Sequence, residues 1–410
     1  MHSRNTVASP DSPAWLILVL GVLAALGPLT VDMYLPAFPA IALELGTDAA
    51  GVKLTLSTFF AGMALGPLVG GPLADRHGRL RMLHIGLGLY VAASIACAMA
   101  TTVHQLMALR FIQALGGSIG IVVPLAIVRD RYGPRESAQV LSRLVLVMGL
   151  APMLAPLAGS CLLEAVGWRA IFGFQALYAL GALVMVAGAL APAGATPQRA
   201  APSPAIEVYG RLLRDRRFVG LALALALTSA GMFGYIAASP ALFMSHFGLS
   251  PTAYAVLFGA NALALVAAAQ INHRLLRHYR PEQLLRRGLV ALVACSLVTL
   301  GMSIAGAVWW AVAAPLMGYL VALGFVHSNG SACAMADQGD NAATASAALG
   351  TVRFAVAVVS TAGASALSDR TDGMALVMTA CAGLAFLVHR ISSRVEKASA
   401  LPAPDPRPIH

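Results

Sequence analysis

Sixteen of the seventeen acidic residues in this chain fall in loops, tails or the ends of long apolar runs, and one does not. That one is Asp32, inside the first run, after Gly27-Pro28 and before Pro36. Glycine-proline pairs favour a kink. A charge at the centre of a bilayer costs about 2.5–3.5 kcal/mol on insertion scales, so an acid kept there needs a reason. One reason is chemistry: a carboxylate that water reaches from either side can take up and release a proton. The other is position, with Asp32 at the outer interface capping the helix or snorkelling to the headgroups.

Further groups could share that chemistry. Arg110 reads as lying in the inner half of the fourth apolar run, three residues before Gln113. Its permanently charged guanidinium must face a cavity or hydrogen-bond to carbonyls and carboxylates. It is either a clamp between helices or a group that tunes the proton site. Together with Asp32, Tyr34 and Gln113, it forms the expected proton and substrate site. A second set of cavity candidates is His327, Asn261 and Arg353, the last being the counterpart of Arg110 in the second half. Histidine titrates near neutral pH, so His327 is a relay or a hydrogen-bonded packing group. The amides of Gln113, Asn261 and Gln270 line a cavity or bridge helices. No cluster of His, Asp and Glu and no Ser/His/Asp set occurs inside the runs, so an embedded enzyme has nothing to work with. Cys97, Cys161, Cys295, Cys333 and Cys381 are isolated, without a CxxC pair, and read as small apolar filler with no metal site.

The elements that must position these groups are membrane helices. The chain has 410 residues, 59% hydrophobic and 11% charged, with a mean hydropathy of +0.78. Soluble domains carry about 25% charged residues. Apolar stretches long enough to cross about 30 Å of hydrocarbon recur throughout. Twelve are predicted: 15–37, 52–73, 82–101, 104–127, 139–163, 168–191, 217–244, 252–273, 287–305, 308–331, 343–367 and 373–391. The first follows a short polar head with little positive charge and reads as a retained helix, not a cleaved signal. The stretch after 191 is rich in Pro and Ala and closes on Arg211, Arg214, Arg216 and Arg217. This divides the chain into a six-helix bundle (1–192), a cytoplasmic linker (193–216), a second six-helix bundle (217–392) and a cytoplasmic tail (393–410).

With both termini on one side, that side collects 22 of the 27 Lys and Arg residues and the other only Lys53, Arg169 and Arg370. The positive-inside rule then puts both termini in the cytoplasm. The +10 net charge is therefore topological and does not indicate nucleic acid. The two halves echo each other weakly: Tyr34-Leu-Pro-Ala-Phe38 ends the first helix and Ser239-Pro-Ala-Leu-Phe243 the seventh. Duplicated halves with a site between them are a common plan for secondary transporters.

After the second helix the chain reads Gly71-Pro-Leu-Ala-Asp75-Arg76-His-Gly78-Arg79-Leu-Arg81. Two glycines permit a tight reversal, and an acid among arginines makes a switchable ion-pair network. This string resembles the loop signature of the major facilitator superfamily, with Leu80 where a basic residue is usual. The fifth helix carries Gly149, Pro152, Pro156 and Gly159, which resemble the proline-glycine motif of its antiporters, although Ala151 and Ser160 depart from it. Asp32-Met-Tyr-Leu-Pro-Ala-Phe-Pro39, Gly350-Thr-Val-Arg353-Phe354 and the Tyr209–Phe218 string resemble the Bcr/CflA family of bacterial drug:proton antiporters. The resemblance implies an all-α integral membrane fold of twelve helices in two bundles, in the bacterial inner membrane. It implies that Asp32 exchanges protons and meets substrate, that Arg110 supports it, and that Asp75, Arg76 and Arg79 couple gating. The expected function is proton-coupled efflux of small amphipathic drugs by alternating access, driven by the proton gradient without a cofactor. The expected partners are the drug, protons and lipid, and the expected state is a monomer. The alternative is a proton-coupled transporter of a small metabolite on the same fold.

Overall fold

The computed structural model of the protein describes residues 14–131, 134–189, 205–338 and 342–399. The first half comprises α1 (Ala14–Asp32), a 3-10 turn (Leu35–Ala37), α2 (Phe38–Glu44), α3 (Ala49–His77), α4 (Arg79–Ala98), α5 (Val103–Arg131), α6 (Pro134–Val166) and α7 (Arg169–Ala189). The second comprises α8 (Ala205–Arg214), α9 (Arg216–Pro240), a π turn (Ala241–His246), α10 (Pro251–Leu275), α11 (Pro281–Ile304), α12 (Trp309–Met335), α13 (Ala342–Ala366) and α14 (Gly373–Ser399). Among the described residues there is no strand. Among the described residues eleven helical segments are long and apolar enough to cross a membrane, and α5, 29 residues long, is the twelfth long helix.

Polar residues at the turns fix where helices begin. The Asp48 carboxylate accepts from the Gly51 N–H at 2.8 Å, and Asp215 accepts from the N–H groups of Arg217 and Phe218 at 2.9 and 3.1 Å. Ser250 caps α10 in the same way through Ala253 at 3.1 Å. Asp372, buried at the start of α14, is held by Arg370 in a two-point ion pair at 2.7 and 2.9 Å.

Three expectations change. The first span does not run unbroken to residue 37, because α1 stops at Asp32 and a short turn and α2 follow. The stretch from Gly71 is not a loop: α3 continues through His77, so Gly71, Asp75 and Arg76 are helical. The reversal is made by Gly78 alone, at φ +90°, a conformation in which a side chain would be strained. Lys53 falls inside the second predicted span and is helical. It lies in the second turn of α3, only 2% exposed, within electrostatic reach of Asp48 and Asp369. Of the expected linker, 205–214 forms α8, while residues 190–204 fall outside the described residues.

α1 packs on α5, α6 and α7, and α5 also holds α3 and α4. In the second half α9 packs on α12, α13 and α14, and α12 holds α10 and α11. The two sets meet along α3–α13 and α6–α10. Three hydrogen bonds fasten them at the end where α3 and α10 begin and α6 and α13 finish. Ser57 donates to Thr361 at 2.8 Å, Ser365 to the Ala50 carbonyl at 2.7 Å, and Thr252 to Glu164 at 2.6 Å. Phe60, Phe233 and Phe354 meet between the sets, with centroids 4.5 to 6.1 Å apart. The molecule is shut at that end.

Candidate functional site between the two bundles

The break after Asp32 organises the first half. A helix leaves its last four carbonyls without an intrahelical partner, and in lipid they cannot turn to water. Here side chains from two other helices supply the donors. Both terminal nitrogens of Arg110 donate to the Thr30 carbonyl at 3.3 Å, and Gln175 donates to the Leu29 carbonyl at 3.1 Å. A cation at a helix C-terminus is also favoured by the macrodipole. Arg110 further donates to Gln113 at 2.7 Å, and Gln113 donates in turn to Ser94 at 2.7 Å and Gln175 at 3.0 Å. The rings of Phe59 and Tyr34 lie 4.4 and 4.7 Å from the guanidinium carbon. Arg110 is fully buried, and Tyr34 bonds Thr55 at 3.0 Å.

α6 seats the same break from another side. At Gly159 any Cβ would collide with the Met33 carbonyl, so only glycine lets α6 approach the chain beside Asp32. Pro152 and Pro156 lie within α6 on the way there, and Gly149, further along, faces Val266 of α10. The four motif residues therefore serve one helix that touches both the α1 break and the opposite bundle.

Asp32 itself is 6% exposed, and no hydrogen bond or ion pair joins its side chain to any described residue. Two polar groups of the second bundle, Tyr235 of α9 and Tyr254 of α10, lie within electrostatic reach of it. Tyr254 shares a hydrogen bond with Ser239 at 2.9 Å, and Asn261 donates to the Tyr235 hydroxyl at 3.1 Å. Tyr235 stacks on Phe258 at 5.7 Å. The Oδ1 of Asn261 is buried without a partner. A lone carboxylate faces a tyrosine-lined wall of the other bundle.

The residues expected to work together therefore separate. Arg110 lies in the second turn of α5, at the closed end and not in the inner half, because α5 runs from that end toward the other. It makes no ion pair with Asp32, and it engages carbonyls in preference to the carboxylate. Tyr34 and Gln113 belong to the Arg110 network, whereas Asp32 turns toward α9 and α10. Asn261 does reach the Asp32 side. His327 and Arg353 form a third group with Ser229, on α12, α13 and α9. Arg76 is exposed at the far end of α3, and the Asp75 side chain falls outside the described residues.

Tyr235, Tyr254, Ser239 and Gln175 were not anticipated. The spacing of Tyr235 and Ser239, four apart on one helix face, was the available signal. The partner Tyr254 sits two residues after a predicted helix start and reads as interfacial.

Comparison with known proteins agrees with this architecture. Residues 20–361 match the Major Facilitator Superfamily model. The uncharacterized MFS-type transporter YdgK of Bacillus subtilis is 34% identical over 341 residues, 82% of this chain and 84% of its own. The bicyclomycin resistance protein homolog of Haemophilus influenzae is 28% identical over 383 residues, 91% and 94% of the two chains. Among solved structures, a bacterial homolog of the human lysosomal transporter Spinster superposes with a TM-score of 0.74 over 96% of this chain and 100% of its own, at 16% identity. The chain is a multi-pass membrane protein and belongs to the Major Facilitator Superfamily.

Proposed function

We propose that the protein is a drug:proton antiporter of the bacterial inner membrane in which Asp32 carries the proton. The observation that carries this reading is the isolation of Asp32: a buried carboxylate, without a protein hydrogen bond, facing the opposite bundle. Such a group has only water, a proton or a solute to satisfy it. The name of the Haemophilus relative, a bicyclomycin resistance protein homolog, favours export of a toxic compound over import of a metabolite.

The distribution of Lys and Arg puts the termini in the cytoplasm. The end fastened by Ser57, Ser365 and Thr252 is then periplasmic, and the molecule is closed to the outside. In this arrangement a solute enters from the cytoplasm and Asp32 gives up its proton. Rocking of the bundles then exposes Asp32 to the periplasm, where protonation releases the solute. The gradient supplies the work without a cofactor, since one charge crossing 100 mV carries about 2.3 kcal/mol. A single chain holds both bundles, so a monomer suffices.

The test is efflux in proteoliposomes under an imposed pH gradient. Asp32→Asn should abolish gradient-driven transport while leaving solute exchange at equal pH, and Asp32→Glu should retain part of the driven rate. Undiminished driven transport by Asp32→Asn would remove the assignment.

A further inference from the structure

The proposed function leaves one buried charge unused. Arg353 lies on the stripe of α13 that includes Ala357, Ser360 and Ala364, all buried, while Val359 on the opposite side is 70% exposed. It therefore faces the bundle interior and not lipid. Its Nε is sealed from solvent without an acceptor, and no hydrogen bond or ion pair reaches any part of its guanidinium among the described residues. The residue as a whole is only part-buried, so the rest of the fork meets open space. Phe354, the next residue, belongs to the aromatic cluster with Phe60 and Phe233 that shuts the space between the bundles.

Two more groups converge there. His327 of α12 lies within electrostatic reach of Arg353, and its Nε2 is 3.1 Å from the Ser229 hydroxyl of α9. Ser229 also donates to the Leu225 carbonyl at 2.8 Å, an arrangement in which its oxygen can accept from the imidazole Nε2. That contact holds the ring, and Nδ1 makes no hydrogen bond among the described residues. Three helices thus hold a permanent cation beside an imidazole, and no acid among the described residues forms an ion pair with it.

A guanidinium cannot lose its charge to escape the cost of burial. An acceptor for its planar fork has to come from outside the protein, and a carboxylate matches that fork in two-point geometry. We propose that Arg353, with His327 beside it, recognises the carboxylate of a transported amphiphile, so that the preferred solutes are anionic or zwitterionic. This rests on the transporter reading above and names a substrate class for it. An anionic lipid headgroup offers similar chemistry, and the test separates the two.

The probes are dansylglycine, an aromatic carboxylate, and its uncharged methyl ester, titrated by fluorescence against the full chain in phosphatidylcholine nanodiscs. The carboxylate should bind about tenfold tighter than the ester, as expected for a charge-assisted hydrogen bond. Arg353→Gln should bring that ratio to about one with the ester affinity unchanged, which also reports a folded protein, and Arg353→Lys should keep part of the preference. A carboxylate bound no tighter than the ester by the wild type, whether both bind or neither, overturns the proposal. A preference that survives Arg353→Gln overturns it as well. Should Arg353→Gln lose both ligands, the wild type in phosphatidylglycerol discs decides: a retained preference supports a solute site, and a lost one assigns the group to lipid phosphate and overturns the solute reading. Equilibrium binding needs no gradient. Asp32→Asn therefore leaves the ratio intact even where it stops driven transport, and the two readings fail separately.

Discussion

Each bundle holds an arginine in its interior, and the two are treated in opposite ways. Arg110 in the first bundle is completely enclosed; its Nε lacks an acceptor, but both terminal nitrogens donate, to Thr30 and Gln113, and three aromatic rings surround it. Arg353 in the second has no acceptor among the described residues and keeps part of its surface open. Charge alone does not distinguish them, since both carry the same fixed one. What distinguishes them is whether the protein has already spent the charge. A guanidinium whose terminal nitrogens are engaged holds structure together, and one whose terminal nitrogens are not is available to a ligand.

The sharpest way to break this contrast is to remove each arginine. Arg110→Ala should destabilise the protein by about 3 kcal/mol or more, because the buried Gln113 amide oxygen loses its donor and the Thr30 carbonyl keeps only a long bond from Gln175 at 3.5 Å. Loss of monodisperse protein in detergent and a large drop in the thermal midpoint would show it. Arg353→Gln, at a less enclosed position, should leave stability unchanged or raise it by about 1 kcal/mol, since it removes an uncompensated charge. Equal destabilisation by both would erase the distinction.

A smaller effect is expected where the bundles are fastened. Ser57→Ala removes one hydrogen bond to Thr361, worth about 1 kcal/mol, without touching either arginine. It should favour opening at that end. With the five native cysteines removed, a cysteine placed at the buried Ser239 should then react faster with an impermeant maleimide added from outside. An unchanged labelling rate would mean that this bond does not hold the closed state.

The smallest effect belongs to the turn before α14. The Arg370 guanidinium holds the Asp372 carboxyl below the usual carboxylate range. Its folded pKa is thus lower than its unfolded one, so the stabilisation is present at neutral pH and fades as pH falls through the acid range. Asp372→Asn should flatten that part of a stability-versus-pH curve only slightly, because Arg370 is largely exposed and the pair is screened.

Most of the fold is legible in the residues themselves. Apolar runs cross lipid as helices because nothing else satisfies their backbone, and eleven of the twelve predicted spans begin within a few residues of the observed helices. The exception, α11, starts at Pro281, because Pro281 pre-sets its first turn and the helix carries Arg286 and Arg287 at its wet end. Asp32 is legible as the interior acid for the same reason. Its neighbours are not. Hydropathy says that Arg110 and Asp32 are both buried, but which groups an arginine touches depends on helix rotation and on where α1 breaks. Only the folded packing reveals that carbonyls claim the guanidinium first. Tyr235 and Tyr254 were hidden because tyrosine is common both in cores and at interfaces.

The clamp on the end of α1 also has a geometric consequence. Because Arg110, Gln175 and Gly159 tie the backbone around Asp32 to the first bundle, the acid travels with that bundle as a fixed post. Tyr235 and Tyr254 travel with the other. The gap between post and wall is therefore a direct gauge of the tilt between the two halves, and whatever occupies that gap, water or solute, reports and constrains the angle at which they stand.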